Sequence, residues 1–281
     1  MDQGNAFVIL RHHKVTSETE RSNWKQSMKF AEMTSPQLAE VERGETLVII
    51  PIAAVEQHGP HLPTGTDTII CTAIAELLEG RLSDSILLAP TLWLGASAHH
   101  LRLGATLDTC LTNYMELLQD IARSVLQDGF RRVLFLNGHG GNIDPLKVAL
   151  RQLQLEFPEA LLAGGSYWAS ASDLIDETLT GDHKFVGHAC EFETSLIMHL
   201  RPELVQQDLI ANAGELIPDE LDGLFVSRDM KQRTRQGCTG RPDLATVEKG
   251  KVLMEGIVKR LESTVQKLLQ QKLGTSYDEF C

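Results

Sequence analysis

From residue 46 onward, short apolar runs alternate with longer stretches in which apolar residues recur every three or four positions. The runs "TLVIIP" (46–51), "SILLAPTLW" (85–93), "RRVLFLN" (131–137) and "ALLAGGSYW" (160–168) have strand length and are punctuated by Gly, Pro or Asn, so they predict strands. The amphipathic stretches "DTIICTAIAELLEGRL" (67–82), "TNYMELLQDIARSVLQDG" (112–129) and "DPLKVALRQLQLEF" (144–157) predict helices between them, and residues 246–273 predict a long final helix. A short helix is expected over 35–44, opened by Ser35, with Pro36 in its first turn and Gly44 past its end. Alternation of this kind predicts an α/β fold: one three-layer α/β/α domain with a mostly parallel sheet, over residues 31–281. Residues 1–30 carry no sustained periodicity and are expected to form an N-terminal extension.

Three polar stretches interrupt the pattern, two of them directly after predicted strands. "EQHGPHLPTGTD" (56–67) places Glu56 and His58 two apart, on one face of an extended chain, and Asp67 at the next helix start. "VLFLNGHGGN" (133–142) runs a strand into a turn with His139 among glycines; its spacing is neither GxGxxG nor a P-loop. In open α/β sheets ligands sit outside the carboxyl ends of the strands, where both segments fall. "GHACEFETS" (187–195) adds His188, Glu191 and Glu193 near a helix start. Helical spacing keeps Glu191 near the His188 face and Glu193 well round it, so all three converge only if His188 precedes the first regular turn. Each residue also has an ordinary use, Asp67 as a helix cap and the glutamates as partners of a helix dipole. Taken together, these nitrogen and oxygen donors suit zinc, manganese or iron(II), and the surplus of carboxylates suggests two metals with one carboxylate bridging.

Composition narrows the setting. The chain of 281 residues is 42% hydrophobic with a net charge of −12, enough apolar material for a sizeable core and a poor match to nucleic acid or an anionic membrane. Five scattered cysteines form no CxxC pair, which argues against a disulfide framework or a cysteine-based zinc site. No apolar run approaches membrane-spanning length and no secretory leader is apparent, so a cytoplasmic protein is expected.

The motifs resemble those of the creatininase (creatinine amidohydrolase) family. Glu56, His58, Gly59, Pro60, His61, Leu62, Pro63 and Asp67 match its ExHGxHLPxxTD signature, and "NGHGGN" and "HACEFETS" match two further segments. "MTSPQLAEV" (33–41), "HHLRLGATLDT" (99–109) and "GRPDLATVEKG" (240–250) extend the likeness over about residues 30–265. The resemblance implies metal-dependent hydrolysis of a C–N amide bond in a cyclic amide, a formamide or a small peptide-like amide. It implies two divalent ions per subunit, zinc or manganese with iron also compatible. Glu56, Asp67 and His139 would hold one ion and His58, Asp67 and Glu193 the other, with Asp67 bridging and a hydroxide nucleophile between them. His188 is expected to protonate the departing nitrogen with Glu191 beside it, and His100, Gly140 and Trp168 to line the substrate pocket. A homo-oligomer, commonly a hexamer, is part of the same expectation.

Departures from the family pattern bear on substrate. Creatininase proper has a glutamate two positions after the histidine of its NGH motif; here that position is Gly141, and Glu193 is the natural replacement ligand. "PIAAVEQHG" stands where relatives often have PxGSxEQHG, Cys190 replaces a glycine, and "LGAT" replaces FPGT. Creatinine itself is therefore not the expected substrate. Two other readings stay open: hydrolysis of a non-amide bond, such as ring opening of a cyclic ketone, and a catalytically silent metal-binding relative.

Overall fold

The computed structural model describes residues 27–182 and 184–274. In chain order it contains α1 (Ser35–Ala39), β1 (Leu47–Ile52), α2 (Thr66–Arg81), β2 (Ile86–Leu88), α3 (Leu111–Gln127), β3 (Arg132–Asn137), α4 (Ile143–Glu156) and β4 (Leu161–Ser166). There follow α5 (Ser172–Thr178), α6 (Glu191–Leu200), the two-residue strands β5 (Glu220–Leu221) and β6 (Leu224–Phe225), α7 (Met230–Arg233) and α8 (Val247–Leu269). The main sheet has the order β2-β1-β3-β4 with every pairing parallel, so β1 and β3 are central and their carboxyl ends lie side by side.

All six residues of β1 are buried, and alternate side chains enter different cores. Leu47 and Ile49 pack with Ile70, Ile74 and Leu78 of α2, Leu196 of α6 and Leu253 and Ile257 of α8. Val48, Ile50 and Ile52 pack with Tyr114 and Leu118 of α3 and Leu146 and Leu153 of α4. The strand period of two thus feeds two cores, and helices cover both faces as the alternation predicts. Helices α6 and α8 cross so closely that a Cβ on Gly250 would lie 1.9 Å from the Ser195 carbonyl oxygen, so only glycine fits there.

Three boundaries and one hairpin differ from the sequence pattern. The second strand stops at Leu88 because Pro90 has no N–H to continue the ladder; the chain rejoins β1 through Leu92 N–H to the Pro51 carbonyl. Helix α1 ends at Ala39, short of Gly44, because the Arg43 guanidinium takes the carbonyls of Leu38 and Val41 that another turn would have used. Of the proposed extension, residues 27–30 belong to the fold: Met28 accepts from Leu88 N–H, and Ser27 and the Met28 N–H bind the buried Glu79 carboxylate. Residues 1–26 lie outside the described residues. The hairpin β5–β6 was missed, yet Asp222-Gly223 between "EL" and "LF" is a hairpin signal, and both residues have positive φ (50° and 83°).

Candidate metal centre

The segments that leave β1 and β3 meet in front of the sheet. Glu56 and His58 follow β1, Asp67 lies in the first turn of α2, and His139 follows β3; all four are buried, Glu56 completely. His139 Nδ1 stands 3.0 Å from Asp67 Oδ2 and 3.3 Å from Glu56 Oε1. His58 Nε2 stands 3.1 Å from Asp67 Oδ1 and 3.9 Å from Glu193 Oε2. The two oxygens of Asp67 therefore face different histidines, with Glu56 on the His139 side and Glu193 on the His58 side. The asparagines of the 137–142 turn hold this register: Asn137 binds both the N–H and the carbonyl of His139, while Asn142 ties Ala96 N–H and the Ala53 carbonyl.

Backbone acceptors fix the histidine tautomers. His58 Nδ1–H donates to the Glu56 carbonyl at 3.0 Å and His139 Nε2–H donates to the Ala96 carbonyl at 3.2 Å. Each ring thereby turns its other nitrogen toward Asp67, the atom that would be free to bind a metal once deprotonated. His188 Nε2–H donates to the Gln57 carbonyl at 2.6 Å, leaving Nδ1 at 3.4 Å from Glu56 Oε1. The Gln57 amide donates to His100 Nδ1 at 2.7 Å, so His100 carries its proton on Nε2, which faces Glu56 Oε1 at 3.2 Å.

Three buried carboxylates at one point need counter-charge. Burial alone would lower the His58 pKa, but Asp67, Glu193 and Glu56 outweigh it and push it up to about 10. The same contest with Glu56 and Asp67 lifts His139 well above its ordinary value. Burial drives Glu193 up to about 8, only partly opposed by His58. Meanwhile both oxygens of Glu56 and Oδ2 of Asp67 are buried and make no properly oriented hydrogen bond. Orphaned anionic oxygens ringed by inward imidazole nitrogens fit a divalent cation, which would replace the protons otherwise needed on His58 and His139.

Helix α6 separates the two glutamates in the sense opposite to the helical-spacing argument. Ala189 adopts a left-handed conformation (φ 48°), which sets His188 before the helix and lets Ala189 N–H bind the Glu193 carboxylate in front of the cluster. Glu191, expected beside His188 in catalysis, is turned away from the cluster. Its carboxylate points away, bound by Lys249 Nζ, the Thr180 and Gly181 N–H groups and the Thr180 hydroxyl. His188 is held in place from the far side, its N–H bound to the Thr239 hydroxyl.

The departure at Gly141 has a steric cause. A Cβ there would lie 2.2 Å from the Ala96 carbonyl, 2.5 Å from His139 Nε2 and 2.8 Å from His99 Cε1, so no side chain fits. The neighbouring space holds His99, whose ring stacks on His139 with centroids 5.7 Å apart and offers a nitrogen within 4.8 Å of donors from Glu56 and His139. Glu193 lies on the other side of Asp67 and does not fill that space. Sequence reasoning passed over His99; the doubled histidine "AHH" was its signal.

A cavity of about 450 Å³ opens from the cluster. His100, Gly140 and Trp168 line it, and so do Phe225, Arg228 and Arg233 from the unforeseen hairpin and α7 region.

Comparison with known proteins fits this geometry. The creatininase family model, described as creatinine amidohydrolase, matches residues 31–265. A mycofactocin precursor peptide peptidase from Mycobacterium ulcerans is 35% identical over 219 residues, 75% of this chain and 81% of the relative. A creatinine amidohydrolase from Pseudomonas putida is 27% identical over 248 residues, 81% of this chain and 92% of the relative. A solved manganese creatininase shares the fold at 24% identity with a TM-score of 0.74, covering 88% of this chain and all of that one. With a family match over most of its length and with the signature residues gathered at one buried cluster, the chain belongs to the creatininase family of metal-dependent amide hydrolases.

Proposed function

We propose that this enzyme hydrolyses the C–N bond of a small peptide-like or cyclic amide at a pair of divalent ions, zinc or manganese. Glu56, Asp67 and His139 would hold one ion, with His99 as an added nitrogen donor, and His58, Asp67 and Glu193 the other. The observation that carries this reading is the set of buried, unpartnered oxygens on Glu56 and Asp67 facing imidazole nitrogens. When bound, the ions supply Lewis acidity toward the amide carbonyl and lower the pKa of water.

The chain's own residues supply the remaining chemistry. Because His188 Nε2–H is committed to the Gln57 carbonyl, Nδ1 is the basic atom facing the centre. In this reading His188 first accepts a proton from water at Nδ1 and then delivers it to the departing nitrogen, as general base and then acid. This refines the simple acid role expected from sequence. Gln57 is a positioning residue, engaging His100 with its side-chain amide and His188 with its carbonyl. The Gly141 backbone, which closes the place of creatininase's glutamate, supports a substrate other than creatinine.

The test is to strip the protein of metal, restore zinc or manganese, and assay creatinine beside formamides, lactams and short peptides. Metal-restored cleavage of an amide other than creatinine is expected; cleavage of nothing but a cyclic ketone would support the non-amide reading instead. A homo-oligomer, a hexamer by family resemblance, belongs to the same proposal and is checked by sedimentation. Among the described residues no helix is long and apolar enough to cross a membrane.

A further inference from the structure

Two chemically different sets of residues line the cavity. Glu56, Asp67 and Glu193 line it at the metal-site end, and Arg228 and Arg233 line it from the segment after the hairpin. Arg233 is committed: Nη1 pairs with Asp219 at 2.8 Å and Nε donates to the Ile217 carbonyl. Arg228 donates from Nη1 to the Pro218 carbonyl at 2.8 Å and, among the described residues, pairs with no carboxylate. It is half-buried, so its charge is only partly served by water. The apolar part of the lining is Trp168, Phe185, Leu216, Phe225 and Met230.

Resting on the hydrolase reading above, we propose that Arg228 binds a carboxylate of the substrate, so that the substrate is an acylated amino acid or short peptide with a free C-terminus and an apolar body. The remaining N–H groups of a guanidinium match a carboxylate in shape and charge, and the carbonyl contact holds the fork in place. With its carboxylate held by Arg228, the substrate presents its neutral amide to the metals. A cavity of about 450 Å³ is large for a compact five-membered ring and suits a ligand with such an extended body.

The experiment uses metal-loaded protein and matched N-acylated apolar dipeptides ending in a free acid or a carboxamide. Equilibrium binding by calorimetry is measured for the wild type, R228A and R228K, alongside kcat/KM for both ligands. The wild type should bind the acid at least about tenfold more tightly than the amide. R228A should erase that preference while leaving carboxamide binding unchanged, and R228K should keep part of it. Equal affinity for acid and amide in the wild type, or an acid preference that survives in R228A because the carboxylate sits on the metal, would overturn the proposal. Arginine-dependent binding of the acid without turnover would sink the hydrolase reading and leave this site standing. Turnover with no acid preference would do the reverse.

Discussion

The floor and the roof of the cavity are built on different principles. The floor lies at the carboxyl ends of β1 and β3, and several of its functional side chains are fixed by a second contact. His58 is held by the Glu56 carbonyl, His139 by Ala96 and Asn137, and Glu193 by the Ala189 N–H. The roof is the stretch around β5, β6 and α7, whose Leu221, Leu224 and Phe225 are exposed and whose contacts are mostly local hydrogen bonds such as Arg228 to Pro218. A site that must keep three carboxylates together needs a rigid and redundant frame. A surface that selects substrates does not, and loops carry such variation at little cost to the core. Chemistry should therefore be sensitive to the floor and specificity to the roof.

The sharpest way to break that division is Asp67→Asn. Asp67 faces both histidines, so its loss should reduce bound metal at both sites and lower kcat/KM by at least about 10⁴-fold, read by metal analysis and amide turnover. Next comes His188→Asn, expected to lower amide turnover by about 10²–10⁴-fold while metal content stays at the wild-type level. An activated ester whose leaving group needs no proton should lose much less, and equal losses on both substrates would remove the proton-transfer role. His99→Gln is expected to weaken one metal by about 10–100-fold and to change the visible spectrum of the cobalt-substituted protein. Unchanged affinity and spectrum would make His99 a wall residue.

Roof substitutions should behave differently. Phe225→Ser should shift KM among substrates by less than about tenfold and leave the metals untouched. Smallest of all on activity is Glu191→Gln, a floor-adjacent residue turned away from the cavity. Burial raises the Glu191 pKa, but Lys249 and the Thr180 and Gly181 N–H groups outweigh it and hold the carboxyl below its ordinary value. Its contribution is thus complete above about pH 4.3 and is lost as pH falls through the depressed folded value. The variant should lose about 1–3 kcal/mol of stability at neutral pH, with a deficit that shrinks in acid and with unchanged metal content. Loss of metal instead would reverse the assignment of the two glutamates.

Much of the floor was legible because its signals are local. An apolar strand followed at once by "EQHG" or "NGHGGN" puts polar side chains at a sheet's carboxyl end, and no tertiary detail is needed to see it. The choice between Glu191 and Glu193 was not legible, since it turns on one left-handed residue, Ala189, that no helical-periodicity argument anticipates. His99 was hidden for a related reason: its place beside His139 depends on how closely Gly141 approaches the Ala96 carbonyl, a contact between segments over forty positions apart. The hairpin was legible from Asp222-Gly223, but its exposed, short strands lack the periodic apolar pattern that marked the rest of the fold.

The central claim is that the floor holds two divalent ions bridged by Asp67. Anomalous diffraction from crystals of the protein loaded with zinc or manganese tests it directly. Two peaks are predicted, about 3.5–4 Å apart, one among Glu56, Asp67 and His139 and the other among His58, Asp67 and Glu193. A single peak, or a peak that leaves Asp67 out of contact, would contradict the account.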